Sequence, residues 1–216
     1  NSWAGKAYLF LGGNLGSTTS LSTTDADYSF EGLDTNDYMG WTVNAAGDVD
    51  GDGLGDLLIG AYRHSGAAGR VSLFLASSLG STSNLTVSDA DHNWYSWGSY
   101  SGQEHLGYSV AGAGDIDDDG YDDVLLGAYS NDDGGTNAGM VYVDLASSFT
   151  SASSSYVVYS DYSFEGEESQ DYAGSAVEGA GDVDGDGWDD LLMTAPQNDE
   201  AGSGAGKVYL LMGDGL

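Results

Sequence analysis

Gly47-Asp48-Val49-Asp50-Gly51-Asp52-Gly53-Leu54-Gly55-Asp56 runs straight into the apolar segment Leu57-Leu58-Ile59-Gly60-Ala61-Tyr62, and this stretch decides how the chain is read. It returns as Gly114-Asp115-Ile116-Asp117-Asp118-Asp119-Gly120-Tyr121-Asp122-Asp123 and as Gly181-Asp182-Val183-Asp184-Gly185-Asp186-Gly187-Trp188-Asp189-Asp190. The leading aspartates stand at 48, 115 and 182, a spacing of 67 residues both times. A fixed period of this kind marks an array of like structural units.

Working outward, more of each unit repeats. Ahead of the loops stand Tyr38-Met39-Gly40, His105-Leu106-Gly107 and Tyr172-Ala173-Gly174. Behind them, Leu57–Tyr62, Val124–Tyr129 and Leu191–Pro196 are short apolar runs that read as buried strands. A third element follows Gly5, Gly69, Gly139 and Gly206, and a fourth, Ser/Thr-rich one (83–87, 155–159) leads up to Asp27, Asp91 and Asp161 as a polar outer strand. Four antiparallel strands per unit, with the aspartate loop joining the first to the second, describe a propeller blade. The units are expected at approximately 1–27 (partial), 28–91, 92–161 and 162–216, within one segment 1–216. Counting first to fourth strands gives three, three, four and three. Thirteen is not a multiple of four, so the segment is read as part of a larger or assembled propeller.

The loops have the form D-x-D-x-D-G-x-x-D. Alternate aspartates send carboxylates toward one centre, the glycine allows a sharp reversal, and the last aspartate closes the shell. Such an all-oxygen set suits calcium, which takes 6–8 oxygen ligands in irregular geometry, whereas zinc would want His or Cys. Three ions are expected. The first is assigned to Asp48, Asp50, Asp52, Asp56 and the Leu54 carbonyl. The second takes Asp115, Asp117, Asp119, Asp123 and the Tyr121 carbonyl, and the third Asp182, Asp184, Asp186, Asp190 and the Trp188 carbonyl. An EF-hand begins similarly but needs a Glu at loop position 12. Ile59, Leu126 and Met193 stand there instead, inside apolar runs.

Composition narrows the partners. Thirty-five acidic residues against 4 basic ones give a formal net charge of −31, which argues against nucleic-acid phosphates and against anionic membranes. Apolar residues at 40% suffice for a core, and the single proline with abundant glycine and tyrosine fits an all-β protein. No stretch is apolar enough to insert in a membrane. There is no cysteine. The chain begins Asn1-Ser2-Trp3 without an initiator Met or signal peptide, as a processed chain or an excised piece would.

Together the aromatic-or-His-x-Gly triplets at 38–40, 105–107 and 172–174, the three aspartate loops and the Gly-Ala-Tyr, Gly-Ala-Tyr and Thr-Ala-Pro endings resemble the FG-GAP repeats of integrin α-subunit propellers and of bacterial surface proteins. The resemblance covers essentially the whole chain. It implies calcium in the hairpin between the first two strands of each blade, on one propeller face, and ligand binding by loops on the opposite face. It also implies an extracellular or cell-surface setting and a non-catalytic adhesion or protein-interaction role.

Two alternatives remain open: a propeller-type lectin, and an accessory domain of a secreted polysaccharide-active enzyme. No repeat-breaking Ser/His/Asp or Glu pair suggests catalysis. His64, His92 and His105 are scattered and read as structural. Lys6, Arg70 and Lys207 share one position and are expected to pair with local carboxylates. Ligand contacts, to a protein or a glycan, are expected in 28–37, 92–104 and 162–171 and in 63–68, 130–138 and 197–205, first of all at Trp94, Tyr95 and Tyr100. A competing reading has Trp94 and Trp97 filling the gap between blades, with Trp97 aligned to Phe30 and Phe164.

Overall fold

The computed structural model describes residues 2–16, 20–97, 103–149 and 153–216. Fifteen strands are found among them: β1 (Lys6–Leu9), β2 (Tyr28–Glu31), β3 (Thr42–Gly47), β4 (Asp56–Gly60), β5 (Arg70–Phe74), β6 (Asn84–Thr86), β7 (His92–Tyr95), β8 (Ser109–Gly114), β9 (Asp123–Ala128), β10 (Met140–Asp144), β11 (Ser154–Tyr156), β12 (Tyr162–Glu165), β13 (Val177–Gly181), β14 (Asp190–Ala195) and β15 (Lys207–Leu211). Helical structure among these residues is confined to single turns. The fold is all-β, with antiparallel blades β3-β4-β5-β7 and β8-β9-β10-β12, flanked by β1-β2 and by β13-β14-β15.

The expected strands lie where the apolar pattern put them. β5, β9 and β10 are buried along their whole length, because each is covered on both faces by neighbouring sheets. The core accordingly consists of inter-sheet layers. One joins Leu58, Val71 and Trp94 to Val110, Val124 and Tyr142, a second joins Leu125 and Val141 to Leu191 and Met193, and a third packs Ala7 and Phe30 on Ile59 and Phe74.

At Ala45/Gly47, Gly112/Gly114 and Gly179/Gly181 the ladder between first and second strands is irregular, immediately ahead of each aspartate loop. A bulge there bends the strand and re-aims the chain into the loop. The repeated triplets stitch consecutive units together: Met39, Leu106 and Ala173 are buried and bridge in parallel to Gly5, Gly69 and Gly139.

The fourth strand corrects the expectation. It is not the Ser/Thr run but the four residues directly after Asp27, Asp91 and Asp161: Tyr28–Glu31, His92–Tyr95 and Tyr162–Glu165 pair antiparallel with β1, β5 and β10. The aspartates instead cap the preceding turn, Asp27, Asp91 and Asp161 accepting the N–H of Leu11, Leu75 and Leu145 at 2.7, 2.8 and 2.9 Å. The Ser/Thr segments become β6 and β11, which lie parallel to β2 and β7, the last strands of the preceding units. Sheet boundaries therefore fall a strand later than 28–91 and 92–161: β7 shares a sheet with β3-β4-β5, and β12 with β8-β9-β10.

The alignment of the tryptophans is corrected too. Ala7 faces Phe30, Val71 faces Trp94, and Val141 faces Phe164, so Trp94 holds the phenylalanine position. Trp97 lies beyond the strand and is 66% exposed.

Candidate metal centre

Each aspartate loop folds on its own carboxylates. In the first, Asp48 Oδ1 accepts the N–H of Asp52 at 3.0 Å, Asp48 Oδ2 that of Gly53 at 2.8 Å, and Asp52 Oδ1 that of Leu54 at 2.7 Å. Asp115 and Asp119 repeat these bonds at 3.0, 2.9 and 3.0 Å, and Asp182 and Asp186 at 3.1, 3.1 and 2.9 Å. Position nine is anchored differently. Asp56 is fully buried, with one oxygen on the Val49 N–H at 3.0 Å and the other on that of Ala76 at 2.8 Å. Asp123 takes Ile116 and Ala146 in the same way, and Asp190 takes Val183 and Gly213. The last aspartate of the motif thus ties the loop to the turn after the third strand.

Three carboxylates converge in each loop: Asp48, Asp50 and Asp56; Asp115, Asp117 and Asp123; Asp182, Asp184 and Asp190. In each set one oxygen per residue lies within 4.8 Å of the others. An ion with ligands at ~2.3–2.6 Å separates any two of them by at most ~5 Å, so one ion can touch all three. Without a cation the arrangement is costly. Burial, with lesser contributions from Asp50 and Asp52, pushes Asp56 up to about 6. Burial, then Asp117 and Asp119, pushes Asp123 up to about 7. Asp117 and Asp184 are raised by desolvation and by their loop neighbours. An all-carboxylate set with no nitrogen or sulfur donor fits a hard cation such as calcium. Asp52, Asp119 and Asp186 stand outside the converging sets, and the side chains of Leu54, Tyr121 and Trp188 are exposed.

Asp34, Asp37 and His64 also converge, but a cation already sits among them: Arg70 Nη2 is 3.1 Å from Asp37 Oδ2, and both side chains are buried. His64 Nδ1 lies 3.1 Å from the other Asp37 oxygen. Burial, then the Arg70 charge, lowers the His64 pKa. The corresponding Lys6 and Lys207 pair with Glu31 at 3.2 Å and with Glu167 and Glu200 at 2.7 and 2.6 Å, as the sequence led us to expect. His92 packs against Trp94 and Phe149, and His105 stacks on Tyr129 while bonding Ser130.

Of the three expected ligand contacts, Trp94 is withdrawn. It is 0% exposed and packs edge-on against Phe149 at 5.0 Å between centroids, so the inter-blade reading holds for it. Tyr95 is half-buried and lines a cleft of about 510 Å³ with His64, Trp97 and Tyr156. Tyr100 lies outside the described residues. The loop spans 28–37, 92–104 and 162–171 also shrink, since their first four residues are strand.

A feature that the sequence reading passed over lies on the face away from the aspartate loops. Trp3, Tyr38, Tyr62, Trp41, Tyr108, His105, Tyr129 and Tyr172 form a continuous row, with neighbouring centroids 4.2–5.9 Å apart. Its signal was present in the residues starting the triplets and in the tyrosines ending the Gly-Ala-Tyr runs.

Antiparallel blades with an acidic loop between the first two strands of each define the class: a repeat protein of propeller blades bearing candidate cation sites. The chain belongs to the FG-GAP repeat family, whose repeat matches residues 39–74, 106–144 and 173–211, more than half of its length. It is similar to integrin alpha-PS2 of Drosophila melanogaster, with 30% identity over 182 residues, covering 80% of this chain and 12% of that protein. Integrin alpha-V of Gallus gallus is 30% identical over 190 residues, 88% of this chain and 16% of the relative. Integrin alpha-5 of Xenopus laevis is 29% identical over 191 residues, 83% and 17%. The chain therefore spans 12–17% of the length of these relatives. Among the described residues no helix is long and apolar enough to cross a membrane.

Proposed function

We propose that this chain is a calcium-stabilised, non-catalytic adhesion or protein-interaction module that works outside the cell or at its surface. The observation that carries the reading is the recurrence of three converging carboxylates at one place in three successive hairpins. Each loop holds one calcium ion through the aspartates at positions 1, 3 and 9, with Asp52, Asp119 and Asp186 and the carbonyls of Leu54, Tyr121 and Trp188 completing the shells. When bound, the ion neutralises carboxylates that otherwise repel one another and bury charge at Asp56, Asp123 and Asp190. The similarity to integrin alpha chains supports a protein partner, met on the face away from calcium. There the row of rings offers Trp3 and Trp41, 67% and 49% exposed, as contact residues.

The test is thermal unfolding in calcium and in chelator. A ligand at a hundred times its dissociation constant adds ~2.7 kcal/mol to the native state for each site it fills. Millimolar calcium should raise the melting temperature, chelator should lower it, and binding should saturate at three ions. A melting curve that does not move in chelator sinks the proposal. A glycan-binding reading draws on the cleft beside exposed Trp97, with Tyr95 and Tyr156 on its walls. Retention on a glycan array, lost in Trp97→Ala, would establish it.

A further inference from the structure

Position eight of the aspartate loops is not among the converging carboxylates, yet it is Gly55 in the first loop and aspartate in the next two, Asp122 and Asp189. Asp122 reaches across to the preceding loop. Its Oδ2 accepts the backbone N–H of Asp48 at 2.7 Å, and its own N–H donates to the Asp48 carbonyl at 3.1 Å. Asp189 grips Asp115 in the same two-point manner, at 3.2 Å through Oδ2 and 3.4 Å through its N–H.

The residues gripped, Asp48 and Asp115, are the first carboxylate donors of loops one and two. The residues that grip are chain neighbours of Asp123 and Asp190, the buried last donors of loops two and three. Room is made for the carboxylates by glycine. A Cβ at Gly47 would stand 2.2 Å from Asp122 Oδ2, and one at Gly114 would stand 1.9 Å from Asp189 Oδ2. The pattern stops where no neighbouring loop is present among the described residues: a Cβ added at Gly181 or at Gly55 would meet nothing within 4 Å. Loops one and two touch again where the Tyr121 ring covers Gly51.

We propose that Asp122 and Asp189 are clasps that couple neighbouring calcium sites, so that the three ions bind with positive cooperativity; this rests on the calcium reading above. An ion in loop two fixes Asp123, and with it the Asp122 backbone and carboxylate that hold the first peptide of loop one. Loop one then has less freedom to lose when its own ion arrives, and binding to a partly ordered site is stronger. Linkage makes the effect reciprocal: an ion in loop one strengthens loop two by the same factor. Couplings of this kind run from about 5-fold to about 150-fold. Asp122 and Asp189 are thus positioning residues.

Calcium titration calorimetry on the full chain tests the clasp. In Asp184→Ala, which disables loop three, loops one and two remain. Asp117→Ala/Asp184→Ala leaves loop one alone, and Asp50→Ala/Asp184→Ala leaves loop two alone. The two-site affinity product divided by the product of the single-site affinities gives the coupling factor, expected at about 5 or more. Adding Asp122→Ala should bring it to about 1, whereas Asp122→Asn, which keeps an acceptor for the Asp48 amide, should retain it. A factor near 1 with Asp122 intact, or one that survives Asp122→Ala, overturns the clasp and leaves the calcium reading standing. No binding in the unmodified chain overturns both. A second measurement needs no clasp variant: in calcium, Asp117→Ala should speed hydrogen exchange at the Asp48 amide about tenfold, the scale of a coupling in the middle of that range. Unchanged exchange refutes the coupling.

Discussion

Trp94 offers the sharpest test of the register that builds the blades. It replaces the phenylalanine of the flanking repeats, is fully buried, and packs against both His92 at 4.5 Å and Phe149 at 5.0 Å, in one cluster with Val71, Met140, Tyr142 and Val157. A buried tryptophan removes on the order of 200 Å² from water, which at ~25 cal/mol per Å² is ~5 kcal/mol. The unfolded chain already buries part of that surface, so the figure is a ceiling. Phe or Trp to Ala in cores costs ~3–5 kcal/mol. Trp94→Ala should therefore lose about 4 kcal/mol, and at ~2–4 °C per kcal/mol for a chain of this size its melting temperature should fall by roughly 8–16 °C. Trp94→Phe, restoring the residue of the other repeats, should lose about 1–2 kcal/mol. Trp97→Ala, at an exposed position, should stay within about 0.5 kcal/mol of the parent. The assay is urea unfolding in saturating calcium, read by the shift in midpoint at constant slope. If Trp94→Ala and Trp97→Ala cost the same, the pairing of Val71 with Trp94 is wrong, and with it the assignment of the fourth strand.

Three further outcomes follow from the charged groups. Arg70→Met should cost about 3–5 kcal/mol by leaving the Asp37 carboxylate buried without its cation, and Asp37→Asn in the same chain should recover most of it. Equilibrium unfolding of the single and double variants decides the matter, and a cheap Arg70→Met refutes it. Asp117→Ala should bind two calcium ions instead of three by calorimetry, while retention of a partner at the opposite face is unchanged. Asp144 concerns pH. Burial, then the Asp161 charge, pushes its carboxyl up to about 7, while Ser160 and the Trp94 indole pull the other way; that indole N–H lies near Asp144 but short of hydrogen-bond geometry. Between pH 4 and 7 the folded form then holds a proton that the unfolded form releases, so stability falls as pH rises through this window. Asp144→Asn should abolish that slope and be the more stable form at pH 8, by on the order of 1–4 kcal/mol, the upper end being the full shift. His64, with its pKa lowered, contributes the opposite slope. The measurement is therefore the difference between variant and parent in saturating calcium, and identical pH profiles refute it.

The first three strands and the convergence of the aspartate loops were legible because their residues carry local signals. The apolar runs after Asp56 and Asp123 are buried almost throughout and that after Asp190 on one face, while the D-x-D spacing accepts amides of its own loop. The fourth strand was misread for a physical reason. Tyr28-Ser29-Phe30-Glu31 is only four residues long and alternates weakly, while the Ser/Thr runs have strand propensity in their own right. Those runs do form strands, but against the preceding unit, and a pairing between units leaves no trace in the periodicity of either. Trp97 aligns with Phe30 when positions are counted back from the triplets, but His105 lies 14 positions after Asp91 whereas Tyr38 and Tyr172 lie 11 after Asp27 and Asp161, and the register puts the three extra residues after Tyr95. The converging carboxylates show the same division. The place of position nine in the converging set was predictable, but its anchoring to Ala76, Ala146 and Gly213 depends on the third strand folding back beside it.

The two parallel strands β6 and β11 alter what a repeat is. Each leaves its own unit after the third strand, runs along the outer margin of the unit before it, and returns to make its fourth strand, so that neighbouring sheets overlap like shingles. Where β6 or β11 crosses, no cut between units is clean: removing everything after residue 145 strips β11 from the edge of β7, though every residue of that blade is still present. A linear array whose members merely abut can fray from one end, losing a member at a time. An array whose members overlap must lift the next shingle before the previous one can peel, so melting is expected to sweep through the blades together, and mechanical load applied along the chain to be shared across a seam instead of borne by a single strand.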